Sequence, residues 1–113
     1  MKENIMKNAK HAILPQEILS AGFDLEPLGI SEIAWKSQTA IAVIDFLFGK
    51  GYPILGGDVY TYINDSANVT SNSWYLNEKD STNYLLESRN RAIAYISSFR
   101  DLNGEDYIYS ITF

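Results

Sequence analysis

The side chains that carry most catalytic and metal chemistry are scarce in this 113-residue chain. It has one histidine, His11, and no cysteine. Thiolate nucleophiles, disulfides and cysteine-built zinc sites therefore fall away. A serine–histidine pair would have to use His11, and no nucleophile motif accompanies it. His11 lies in a polar N-terminal stretch and reads as a surface residue. The run Asp101-Leu102-Asn103-Gly104-Glu105-Asp106 is a fragment of a calcium loop and is better explained as a helix end. Gly49-Lys50-Gly51 and Gly56-Gly57 lack the strand–loop–helix setting of a phosphate cradle. Asp58 with Glu78 or Asp80 could do acid–base work only if the fold raised one carboxyl pKa. The expectation is a protein without catalytic residues, metal or cofactor.

What remains is a surface. Leu55-Gly56-Gly57-Asp58-Val59-Tyr60 opens a run of β-formers after a long apolar helix candidate. Adjacent glycines permit φ > 0 or a close backbone approach there. Between Asp58 and Asp80 the acids Asp58, Asp65, Glu78 and Asp80 face one base, Lys79, and the same stretch holds Tyr60, Tyr62, Trp74 and Tyr75. Exposed aromatics anchor protein contacts and carboxylates steer them. Asp58, Tyr60, Tyr62, Asp65, Tyr75, Glu78 and Asp80 are thus the candidate partner-binding residues. The competing reading makes Trp74 and most of the tyrosines core, because a short chain needs large side chains to fill its interior. The formal charge of -5 and pI near 4.7 repel phosphate backbones and suit a basic protein partner, although plain solubility is also served.

Elements must hold these residues in place. Length and a 46% hydrophobic composition fit a single domain over residues 1–113, with residues 1–10 frayed. Pro15 to Ser20 reads as a short helix, and Phe23, Leu25 and Leu28 as an irregular segment covering one side of the core. Ser31 or Ser37 caps a long helix to about Phe48, with Ala34, Ile41, Ile44 and Phe48 on one face. Asp45 sits at its boundary, reaching solvent or a backbone donor. Ile54 to Ile63 reads as a strand, Asn64 to Asn72 as a polar loop, and Ser73 to Leu76 as a short second strand, giving a hairpin with a loose loop. Asp80 or Ser81 caps a second long helix, Thr82 to Asp101, which buries Leu85, Ala92, Ile96 and Phe99. Tyr107 to Phe113 alternates as a terminal strand. The fold class is α+β: a small, largely antiparallel sheet of three or four strands with two long helices on one face. No signal-peptide core or membrane-length apolar run is present, so the chain reads as soluble and cytoplasmic.

Leu55-Gly56-Gly57-Asp58-Val59-Tyr60, then Ser73-Trp74-Tyr75, then Ser88 and Ala94-Tyr95-Ile96 resemble the immunity protein 40 family of bacterial polymorphic-toxin systems. Gly56, Gly57, Asp58 and Trp74 are the positions that match the family's motif. The resemblance implies a non-enzymatic antitoxin that binds and neutralises a cognate toxin domain, such as a nuclease, and protects the producing cell. The partner would be a basic protein; the acidic charge argues against a nucleic-acid partner and the lack of a membrane-length apolar run against a membrane one, and the chain is read as a monomer or homodimer. The alternatives are a different protein-binding module or homodimeric adaptor and, last, a small acid–base enzyme using Asp58 in a deep pocket.

Overall fold

The computed structural model describes residues 9–76 and 83–113. The fraying expected of residues 1–8 and the cap expected at Asp80 or Ser81 lie outside the described residues. Ala9 and Lys10 belong to a 3-10 turn, Ala9–Ile13. There follow α1 (Gln16–Ser20), β1 (Phe23–Asp24), β2 (Ile33–Lys36), α2 (Ser37–Gly49), β3 (Gly56–Ile63), β4 (Ser66–Tyr75), α3 (Tyr84–Asn103) and β5 (Tyr107–Thr112). The strands form one sheet in the order β1-β2-β5-β3-β4, with every neighbouring pair antiparallel. The class is α+β, as expected, but with five strands and three helices rather than three or four strands and two long helices.

The added strands are β1, where an irregular segment was expected, and β2, while α1 is the short helix expected from Pro15 to Ser20. Ile33–Lys36 is a strand, and Ala34, expected in the helical stripe, pairs with Ser110 in the sheet interior. Ile33, Ala34 and Trp35 are all buried. A strand covered on both faces is a continuous apolar run, which helical spacing matches equally well. The helix itself begins at Ser37 and buries Ala40, Val43, Ile44 and Leu47. It ends with Gly51 at φ 87°, where Gly51 N–H donates to Phe48 O and Tyr52 N–H to Leu47 O, each at 3.0 Å. That is the paired-bond stop which a glycine just past the helix allows.

The hairpin also differs. Asn64 and Asp65, at φ 53° and 62°, make a tight two-residue turn of the kind that needs positive φ twice. β4 then runs for 10 residues through the expected loop. Its polar residues belong to an edge strand, half of whose surface meets water. Midway, Asp58 pairs with Ser73 but Tyr60 with Val69, so Thr70, Ser71 and Asn72 bulge opposite Val59. The Thr70 hydroxyl holds the bulge by donating to Val59 O at 2.7 Å and accepting from Asn72 N–H at 3.1 Å. Thr70→Val keeps the shape and removes both bonds. It is expected to cost about 1–2 kcal/mol, read as a lower urea midpoint at constant m-value; Thr70→Ser should restore most of the loss.

β5 lies in the middle of the sheet and is buried along Ile108, Tyr109, Ser110 and Ile111. On one face Trp35, Val59, Trp74, Tyr109 and Ile111 pack with the apolar stripes of α2 and α3. Of the stripe expected on α3, Ala92 and Ile96 are fully buried, whereas Leu85 and Phe99 are half-buried and Ser88 takes a core position. Asp45 reaches solvent as expected and also meets a side chain: Arg89 Nε stands 2.8 Å from its Oδ1, tying α2 to α3 by a partly exposed pair that contributes about 0–1 kcal/mol. On the other face, Leu25, Ala34, Tyr60 and Ile108 form a smaller cluster with Phe23, Leu28 and Tyr62 around it. This second face holds the candidate site.

Candidate functional site

Gly57 pairs with Trp74 on one side and Ile111 on the other. A Cβ at Gly57 would collide with the Ser110 carbonyl oxygen and the Trp74 ring, and one at Gly56 (φ 155°) with the Trp74 carbonyl oxygen. The glycines let the Trp74 indole lie flat over β3 on the helix side. There it is 6% exposed and stacks on Tyr95, with centroids 4.9 Å apart. Ser88 Oγ accepts from Ile54 N–H and donates to Leu85 O, each at 2.9 Å, so α3 is pinned to the chain leading into β3. Gly57, Trp74 and Tyr95 are thereby one packed unit on the helix-covered side, with Ser88 fastening α3 to the entry of β3, while Gly56 abuts Trp74 and Tyr75.

Strand alternation puts Asp58, Tyr60 and Tyr62 on the opposite face. Tyr60 is 5% exposed. Its hydroxyl bonds with Ser110, and burial raises its pKa, so it supports the surface from below. Asp58 is half-buried. Burial, and next the charge of Glu32, push its carboxyl above the usual range, while the Tyr75 hydroxyl opposes them by hydrogen bonding. Among the described residues no cation stands within ion-pair distance of Asp58. Beside it Tyr75 and Val69, 57% and 64% exposed, project from the same face of β4. Val69 was hidden from sequence reasoning by its assignment to a loop; its alternation with Ala67 was the available signal. Trp74 faces the other way. Glu78 and Asp80, and with them the proposed acid–base pairing to Asp58, lie outside the described residues.

The Asp58 shift has a thermodynamic consequence. A carboxyl whose folded pKa exceeds its unfolded value of about 3.9 is bound more tightly by protons in the folded state. Ionised Asp58 therefore opposes folding at neutral pH, and that opposition fades as pH falls through the raised folded value toward the unfolded one. Asp58→Asn is expected to raise the melting temperature at pH 7, with a gain that shrinks on acidification. An equal or lower melting temperature at pH 7 would contradict the arrangement.

Tyr62 and Asp65 stand at the far end of the same face, beside a cleft of about 480 Å³. Half-buried Phe23, Leu28, Tyr62 and Ala67 form its floor, and exposed Asp24, Pro27, Asp65, Ser66 and Asn68 its rim. The Phe23 and Tyr62 rings meet at 4.3 Å. Asp58 does not line this cleft, so its raised carboxyl and the concavity are separate. Among the described residues no three His, Asp or Glu side chains converge as a metal site requires, and no helix is long and apolar enough to cross a membrane.

The sequence profile of the family described as immunity protein 40 matches residues 24–113, most of the chain. The chain belongs to that family. No curated protein and no solved structure matches it. The span matched to immunity protein 40 begins at Asp24 in β1 and takes in the Trp74 unit, the Asp58 surface and the cleft apart from Gly22 and Phe23.

His11 lies before that span and corrects the surface reading: it is 0% exposed, edge-on to Trp35 and tilted against Phe113, each at 6.4 Å between centroids. The 3-10 turn carries it over the end of the sheet, where Leu14 is also buried. Its Nε2 stands 3.6 Å from Glu32 Oε1, an ion-pair distance longer than a hydrogen bond, and Lys10 Nζ lies 3.2 Å from Glu32 Oε2. Burial pushes the Glu32 carboxyl up, but His11 and Lys10 together outweigh it and hold the group below the usual range. Glu32 is thus offset by Lys10 and His11, whereas Asp58 has no ion pair among the described residues.

Proposed function

We propose that this protein is an antitoxin of a bacterial polymorphic-toxin system: it binds a cognate toxin domain and neutralises it by occlusion, without catalysis of its own. The family match over residues 24–113 carries this reading. The face of the sheet away from α2 and α3 is its natural docking surface. It presents a carboxylate at Asp58 that has no ion pair among the described residues, and exposed Tyr75 and Val69, a mixture of anchor and charge suited to a partner. The proposed contacts are Asp58, Tyr62, Asp65 and Tyr75, supported by Tyr60, with Glu78 and Asp80 added on sequence alone. The partner is a basic domain, such as a nuclease, whose substrate groove would attract the net charge of -5 and associate rapidly by steering. The protein acts in the cytoplasm of the producing cell. Co-expression with the toxin encoded beside it tests the proposal: growth should be rescued, and a complex should be captured whose association slows as salt rises. Failure of both rescue and capture would sink it.

One observation favours a second reading, a homodimeric adaptor. β4 is an edge strand whose 10 residues include no charged side chain, so two acidic chains could pair along it without placing like charges opposite each other. The bulge at Thr70 works against such pairing by twisting the edge. Light scattering decides: a monomer removes this reading, and a dimer disrupted by Val69→Lys supports it.

A further inference from the structure

The geometry points to the cleft between β1 and the β3–β4 turn as the receptor for one long basic side chain, lysine or arginine, of the partner protein. This rests on the antitoxin reading and deepens it by naming what the partner inserts and where. The cleft has two zones. Its floor is apolar: Phe23 and Tyr62 in contact at 4.3 Å, with Leu28 and Ala67 beside them. Its rim carries carboxylates. Asp24 accepts from Glu26 N–H at 3.0 Å and helps to shape the segment. Asp65 is held at the tip by a turn residue conformation, φ 62°, and forms no ion pair among the described residues.

Lysine and arginine have the complementary division, an apolar stem ending in a cation, and they lay that stem along apolar surface while the head stays at the edge. A purely apolar side chain would fill the floor and leave Asp65 without a counter-charge. An acidic or phosphorylated one would meet two carboxylates. The Tyr62 ring adds a face on which a guanidinium can lie. It already has a cation near it, Lys36 Nζ at 5.8 Å, but Lys36 does not line the cleft and its ammonium donates to Glu105 O at 2.9 Å. At about 480 Å³ the cleft falls near the lower end of small-ligand sites, about 300–1,000 Å³, which suits one side chain and its adjoining backbone rather than a folded element.

Two measurements test this separately from the antitoxin reading. In the first, the free protein is titrated with N-acetyl-arginine amide and N-acetyl-norleucine amide while backbone amide resonances are followed. Shifts confined to Phe23, Leu28, Tyr62 and Ala67 are expected with the arginine probe. Binding should be about tenfold weaker or worse with norleucine, and equally so for arginine with Asp65→Asn, as for loss of one contact to a charged group. Asparagine tolerates the turn conformation, so that variant should fold. Absent or scattered shifts, or equal affinity for both probes, overturn the proposal. In the second, Asn68→Lys places a cation on the exposed rim. It should abolish rescue of the co-expressed toxin, while Ser98→Lys on exposed α3 should not. If the wild type binds the toxin and both Asp65→Asn and Asn68→Lys bind it equally well, the cleft proposal falls and the antitoxin reading stands. If the wild type binds no toxin, the antitoxin reading falls and the arginine titration still decides the cleft.

Discussion

Gly57→Ala is expected to lower stability by about 3 kcal/mol or more, at the upper end of the range for overpacking. Against the roughly 5–15 kcal/mol of a typical domain, that is enough to leave a substantial unfolded fraction at physiological temperature. The added methyl meets two neighbours of different stiffness. The Trp74 ring could slide, at the expense of its stacking on Tyr95. The Ser110 carbonyl could not, because it belongs to the middle strand, paired to β2 on one side and β3 on the other. Trimming the indole should therefore rescue only part of the loss, so the double variant Gly57→Ala with Trp74→Phe should remain well below the wild type. Gly49→Ala is the control. A Cβ there has open space around it within helix α2, and replacing a helical glycine is expected to gain about 0.5–1 kcal/mol. The comparison is read from urea midpoints. A Gly57→Ala protein within about 0.5 kcal/mol of the wild type, the range of an inert surface change, would contradict the tight β3–β5 approach on which the two faces of the sheet depend.

How far the fold was legible follows from which residues carried a single meaning. The α2 helix did, because Ile41, Ile44 and Phe48 repeat at helical spacing with Ala40, Val43 and Leu47 beside them and Gly51 stops it, although the fully buried line is Ala40, Val43, Ile44 and Leu47 and leaves Ile41 and Phe48 half-buried. So did β5, whose Tyr107, Tyr109 and Ile111 alternate with Ile108 and Ser110. β2 carried two meanings: Ile33-Ala34-Trp35 is apolar without a break, and only its pairing with β5 decides for strand. β4 was lost for the opposite reason, since an edge strand facing water is composed like a loop, and the turn at Asn64-Asp65 does without the glycine that usually announces it. Of the site, strict alternation set Tyr60 and Tyr62 apart from Val59, but the face of Trp74 was not readable, because it follows from its pairing with Gly57. The burial of His11, its approach to Glu32 and the cleft were not readable either, since each joins segments distant in sequence that only the closed sheet brings together.

Trp35→Ala is the second large effect, expected to cost about 3–5 kcal/mol. Trp35 is 0% exposed, packs in the main core, and is the fastening between α1 and the sheet: its Nε1 donates to Ile18 O at 2.8 Å. α1 has five residues, too few to hold a helix in water unaided, so its order depends on that contact and on buried Leu19. Losing the indole also removes the ring against which His11 packs, and with it the seating of Lys10 and His11 over Glu32. Glu32 should then lose its compensation. Its depressed folded pKa contributes stability above the ordinary carboxylate range and loses it as pH falls through the folded value, so the acid limb of the stability profile should flatten in the variant. Trp35→Phe separates the parts: it keeps most of the apolar area, forfeits the bond to Ile18, and should cost about 1–2 kcal/mol. Hydrogen exchange at Leu19 and Gly22, whose amides donate to Pro15 O and Leu19 O, reads the fastening directly. In Trp35→Ala these amides should exchange faster than the global loss of stability predicts, leaving Val59 and Ile108 to report the core. Exchange in α1 that merely tracks the core would mean that the N-terminal segment is held by something other than Trp35, and that Glu32 keeps Lys10 and His11 beside it when the indole is gone.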